Sequence, residues 1–183
     1  QAEMLREKIK GLEMRMMDMM RHGTENEVLM AHLQRWIKSL LMNPHAGDLP
    51  RAVAEGIQNE FAVPQVAIKL WDVAEPFQME AFAAGVTDSA KAFAASLTTP
   101  YVGPNQAFEA VTWLVEPSAA QSVALIALRA TREQDTPRTA VEQPVVGLLV
   151  LAAPDPERYF AGMGTDFIER LGDLASAALT SLR

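Results

Sequence analysis

The chain has 183 residues, of which 49% are apolar and 21% charged, a balance that excludes intrinsic disorder and leaves enough material for one complete core. Sixteen basic against 23 acidic side chains give a net charge of -7, so a broad duplex nucleic-acid surface would work against the overall field. No cysteine is present, which excludes disulfides, thiolate metal sites and covalent thiol chemistry.

Eight of the ten methionines fall in the first 42 residues, at Met4, Met14, Met16, Met17, Met19, Met20, Met30 and Met42. That segment holds seven basic and six acidic side chains, whereas the remainder holds nine and seventeen, so the acidity belongs to the second part. A boundary near residue 45 follows, with a helical dimerisation or connector segment over 1–44 and a mixed domain over 45–183. No apolar run reaches the roughly 20 residues of a membrane helix, so no membrane association is expected and cytoplasmic residence is the default. The chain opens at Gln1 and not at Met, which points to a preceding segment.

Leu5, Ile9, Leu12, Met16 and Met19 are spaced four, three, four and three residues apart, the stripe of a coiled coil. The same register continues through Gly23 and Asn26 to Met30, Leu33, Ile37 and Leu40. Retained phase favours one long helix, or a near-collinear pair, about 60 Å in length. The competing form is a hairpin that stops at Gly23 and restarts at Thr24, where Glu27 completes a capping box. A continuous helix would offer its seam to a second copy, so a homodimer is the leading expectation. A hairpin, or packing against the chain's own domain, are the alternatives. Methionine suits a seam that repacks or slides, and thioether metal binding is the less favoured reading.

Beyond the NPHAGD break, Asp48 can cap a helix with Pro50 near its start and Leu49, Val53, Ile57 and Phe61 on one face. The alternation of QVAIKLWDV predicts a strand over 65–73; Glu75-Pro76 marks a turn into a second strand over 77–83. VTDSAKAFAASL reads as a short helix and TTPYVGPN as a loop, while QAFEAVTWLVE fits a strand or a helix. The branched apolar runs SVALIALRA and PVVGLLVLA are core strands, joined by polar residues short enough for an antiparallel hairpin. A sheet with helices over one face, class α+β, is expected. In the last helix Phe167, Ile168, Leu171, Leu174, Ala178, Leu179 and Leu182 form the apolar face, with Thr165 as N-cap and Asp166 in the first turn. No histidine or second carboxylate nearby makes Asp166 catalytic.

The segments SVALIALR, PYVG, NEVLMAHLQRWIKSLL and GLLVLAAPDPERYFAGMGTDFIERLGDLASAAL together resemble a bacterial family of uncharacterised proteins, DUF484, over nearly the whole chain. The resemblance implies a GAF-like domain, a central antiparallel sheet flanked by helices, behind an N-terminal helical extension. It further implies small-molecule binding or regulatory, signalling dimerisation. Cysteine often stands in that family where this chain has Val102, so any thiol role is lost here and a packing role can pass to valine. The thiol mechanism of free methionine sulfoxide reductases and covalent bilin attachment are excluded with it. The cyclic-nucleotide signature of other GAF domains is absent. By analogy with the fold, a pocket would be lined by Trp71, Phe77, Thr98, Tyr101 and Gly103.

Other constellations give little. His22, His32 and His45 all precede the mixed domain and form no metal motif, and a His45-Asp48 pair lacks further ligands. There is no Walker A or GxGxxG motif, and the Gly162-Met163-Gly164 turn serves backbone geometry better than an anion cradle. Arg129, Arg132 and Arg138 make a loose basic patch that Glu133 and Asp135 offset. No nucleophile-base set assembles from local motifs, so no catalytic residue, metal or cofactor is expected beyond an unidentified small-molecule ligand. The expectation is a dimeric, non-catalytic module for regulation, sensing or interaction with an unidentified protein partner. A ligand-free scaffold is the alternative, and an enzyme with a non-local site stands behind it.

Overall fold

The unbroken heptad phase is realised as one helix, α1 (Ala2–Leu41), in a computed structural model that describes residues 2–130, 143–158 and 166–183, without the side chains of residues 18, 19, 21, 22 and 24–26. The hairpin is not formed: Gly23 lies inside α1, and an added Cβ there would meet nothing within 4 Å. Glu3 in the first turn and Lys38 in the last complement the helix dipole. Pro44 cannot continue the helix, which closes with Met42 N–H donating to Lys38 O and Asn43 N–H to Leu40 O.

The chain then turns back through a 3-10 turn (Ala46–Asp48) into α2 (Leu49–Phe61). Pro50 occupies the first turn as expected, but the Asp48 side chain makes no capping hydrogen bond. Ala62, in the left-handed region at φ 52, ends α2 ahead of Pro64. β1 (Gln65–Leu70) is shorter than the 65–73 reading because Asp72 adopts φ 60 and turns the chain out of the sheet just after Trp71 N–H donates to Val146 O. The strand expected over 77–83 does not form. Pro76 opens a 3-10 turn (Glu75–Phe77), and the following residues, without a β-branched side chain among them, make turns that give the sheet one bond, Leu70 N–H to Phe82 O.

α3 (Asp88–Ser96) is capped by Thr87, whose Oγ1 accepts from Ala90 N–H at 3.1 Å. The segment read as the TTPYVGPN loop contains β2 (Tyr101–Pro104), and the ambiguous stretch after it forms a 3-10 helix (Glu109–Trp113). β3 (Ser122–Arg129) and β4 (Val145–Ala153) are the core strands expected, paired antiparallel from Ser122↔Ala153 to Arg129↔Val145. The sheet order is β1-β4-β3-β2, every pair antiparallel, so the class is α+β.

Both faces of the sheet are covered, which corrects the one-sided expectation. Ala124, Ile126 and Leu128 with Leu149, Leu151 and Ala153 face the C-terminal half of α1, α2 and α4 (Asp166–Ala178). The alternate residues, Val123 and Leu125 with Leu148, Val150 and Ala152, face α3 and the 3-10 helix. Strands buried on both faces read as continuous apolar runs, which is why these two were legible. Asp166 stands in the first turn of α4 as expected. The readings of Thr165, the Gly162-Met163-Gly164 turn, Arg132, Arg138 and the connection between β3 and β4 lie outside the described residues.

Candidate functional site

The heptad stripe of α1 splits in two. Leu33 and Leu40 are buried in the chain's own core and Ile37 packs against it, because α2 folds back alongside this half of α1. These three, expected at a subunit seam, are packed within the subunit. Leu5, Ile9, Leu12 and Met16 stay 54–62% exposed, and Met30, at 41%, marks the crossover. The side chain of Met19 lies outside the described residues. Every described side chain from Ala2 to Val28 is exposed. The accessible stripe is therefore the N-terminal half, a line of large apolar side chains on a helix beyond the domain.

Where α1 meets the domain, a cavity of about 530 Å³ opens between Leu29 of α1, Phe61 of α2, Val102 of β2, Leu151 of β4 and the first turns of α4. Two phenylalanines line it among aliphatic side chains: Phe61 meets Phe167 edge-on at 5.1 Å, and Trp36, buried outside the cavity, meets Phe61 at 6.4 Å. Its polar groups are His32, Glu60 and Arg158. Arg158 Nη2 donates to Phe61 O at 3.2 Å, which holds the guanidinium at the rim. Glu60 Oε2 lies 2.8 Å from His32 Nδ1 and 3.2 Å from Arg35 Nε, and Arg35 Nη2 lies 2.8 Å from the same His32 nitrogen. That nitrogen serves one neighbour at a time, as an N–H toward Glu60 or as a lone pair toward Arg35. The hydrogen bond to His32, then Arg35, hold the Glu60 carboxyl below the usual glutamate range against the opposing pull of partial burial.

A second cavity of about 510 Å³ lies between residues 97–100, the end of β3 and α4, and holds Thr98. Arg129 in it is committed to structure: Nη1 donates to Gln143 O at 3.0 Å and Nη2 to Leu97 O at 2.7 Å. The anion-receiving role considered for Arg129 thus competes with two backbone carbonyls. Ser176 Oγ accepts from Arg129 N–H and donates to Gly172 O, which ties α4 to the strand.

Of the five residues expected around one pocket, Trp71, Tyr101 and Gly103 lie on one side of the sheet, Thr98 in the second cavity and Phe77 on the other side. Trp71 donates from Nε1 to Val145 O at 3.0 Å, clamping β1 to β4. Phe77 packs on the α-helical side of the sheet and against Gly47. Tyr101 packs edge-on against Phe108 at 4.8 Å and donates its hydroxyl to Pro104 O at 2.7 Å; Gly103 keeps the space beneath that hydroxyl, where a Cβ would stand 3.1 Å away. Val102 is buried in the core with the packing role expected of valine. The cavity at the foot of α1 was missed because its walls come from residues 29 to 171, with no local motif. Among the described residues no group of three His, Asp or Glu side chains could hold a metal, and no helix is long and apolar enough to cross a membrane.

Residues 1–181 match the profile of the family described as protein of unknown function, DUF484. The chain belongs to this family. No curated protein matches it in sequence. Among solved structures, this DUF484 chain is similar to a far-red cyanobacteriochrome photoreceptor, with 14% identity, coverage of 87% of this chain and 98% of the other, and a TM-score of 0.48.

Proposed function

We propose that this DUF484 chain is a non-catalytic regulatory module, a homodimer joined through the N-terminal half of α1, with a GAF-like domain that senses a small molecule or engages a protein. The observation that carries the reading is the split stripe: Leu5, Ile9, Leu12 and Met16 keep a coiled-coil register while more than half exposed. Burying such a side chain stabilises by about 1.5–3 kcal/mol, and a helix projecting alone into water is marginal, so a second copy supplies what the chain itself does not. A ligand that favours one arrangement of the α1 junction would shift the helix pair. The aromatic packing of Phe93, Phe108 and Tyr101 against the other face of the sheet favours the scaffold alternative for that face.

Light scattering coupled to size exclusion, with native mass spectrometry, tests the dimer. The wild-type chain should run at twice its own mass. The double variant Leu5→Glu, Leu12→Glu should run as a folded monomer. A wild-type monomer at all concentrations overturns the dimer. A small molecule retained in native spectra supports sensing over the scaffold.

A further inference from the structure

Resting on the dimer half of the reading above, we infer that the second copy lies parallel and in register along α1, so that both domains stand at the same end of the helix pair. The spacing of the stripe fixes the heptad: the step of four from Leu5 to Ile9 and of three from Ile9 to Leu12 puts Leu5 and Leu12 at d, Ile9 and Met16 at a. The positions flanking this seam are then Arg6 and Glu13 at e, Lys8 and Arg15 at g. All four are exposed on α1, and among the described residues none takes part in an ion pair within its own chain. These are the charges that a neighbouring helix meets first, and their match depends on which way it lies.

In a parallel pair each g residue reaches the e residue five places later on the other helix. Lys8 of one copy then meets Glu13 of the other, twice by symmetry, and Arg15 meets the uncharged Met20. No like charges face each other among Arg6, Lys8, Glu13 and Arg15. In an antiparallel pair g faces g and e faces e. Seating Leu5 on Met16 and Ile9 on Leu12, the antiparallel register that covers all four apolar residues, sets Lys8 against Arg15 twice, and that repulsion cancels the attraction of Arg6 for Glu13. The core points the same way as the flanks: a β-branched Ile9 at a, between Leu5 and Leu12 at d, is the composition that favours two parallel strands. The stripe leads up to the domain, since Met30 at a is still 41% exposed before Leu33 and Leu40 enter the chain's own core. Parallel packing therefore brings the two ends of α1 that join the domains side by side, where antiparallel packing would hold the domains apart.

The chain has no cysteine, so one introduced thiol reports the arrangement. Under mild oxidation the full chain carrying Leu5→Cys should form a disulfide-linked dimer, because a d position faces its own twin in a parallel pair. Mixing Leu5→Cys chains with Met16→Cys chains should give only the two homodimeric products. Sedimentation equilibrium supplies the second readout. Lys8→Glu should raise the dimer dissociation constant by about tenfold, an effect that shrinks as salt is added, and Lys8→Glu, Glu13→Lys should return it to within about threefold of wild type. An antiparallel pair requires the opposite sign, since the reversed side chain would then meet Arg15. Mixed crosslinks between the Leu5→Cys and Met16→Cys chains, or a tighter dimer in Lys8→Glu, overturn the orientation while leaving the dimer standing. A wild-type chain that is monomeric at all concentrations overturns the dimer itself, and a dimer that neither crosslinks at these positions nor responds to Lys8→Glu overturns the seam. Should Leu5→Cys loosen the pair, Lys8→Glu and its rescue decide.

Discussion

Gly56 of α2 lies directly beneath the indole of Trp36 in α1: a Cβ on Gly56 would stand 2.4 Å from Trp36 Cδ1. Trp36 is fully buried and donates from Nε1 to Val53 O at 3.3 Å, so the ring has no room to withdraw. This close approach seats the second half of α1 on the domain, and it decides which half of the stripe stays exposed.

Gly56→Ala should therefore destabilise the fold. Overpacking costs about 1–3 kcal/mol and opposes the helix-propensity gain of about 1 kcal/mol from removing glycine. Gly11→Ala, on the exposed part of α1 where an added Cβ meets nothing within 4 Å, should instead show the propensity gain alone. Urea denaturation of both variants checks the opposite signs.

Helix content should depend on assembly. Because the described side chains up to Val28 touch no core, the N-terminal half of α1 should lose helix on dilution below the dimer dissociation constant, while the second half stays folded. Far-ultraviolet circular dichroism against concentration reads this directly. A signal independent of concentration, together with a monomeric mass, would oppose the assembly proposed above.

Glu60 links α2 to α1 through His32 and Arg35, and its carboxyl titrates below the usual range. In the window between the folded and unfolded values the unfolded chain holds more protons, so stability rises with pH there. The contribution is complete above the ordinary glutamate value and disappears as the pH falls through the lowered one. Glu60→Gln should lower the melting temperature near neutrality and lose its difference from wild type in acid. A difference that stays constant down the acid range would rule out this linkage.

Tyr101 closes β2 on itself by its bond to Pro104 O while its ring stays on Phe108. Tyr101→Phe keeps the ring and removes the bond, so it should cost about 0.5–1.5 kcal/mol by chemical denaturation.

How much was legible follows the physics of each element. β3 and β4 announce themselves as unbroken branched runs, and α4 by Phe167, Ile168, Leu171 and Leu174 along one face, because burial selects those side chains wherever the elements sit. β2 did not: Tyr101–Pro104 is four residues with a glycine and a proline, and it is a strand only because Ser122–Leu125 lies beside it. The 77–83 strand failed for the converse reason, since a turn at Pro76 and the lack of branched residues outweighed an ambiguous pattern.

The sequence by itself determined the heptad phase of the first segment, the absence of thiol chemistry and the α+β class, since each follows from composition or from spacing along the chain, whereas one continuous helix in place of a hairpin was settled by the structure. Only the tertiary structure decided where the stripe divides and where a cavity opens. The division at Met30 exists because α2 folds back to bury Leu33 and Leu40, and the cavity beside it exists because Phe61, Val102 and Phe167 converge from separate elements. Periodicity tells which side of an element is apolar, and packing between distant elements determines what that side meets.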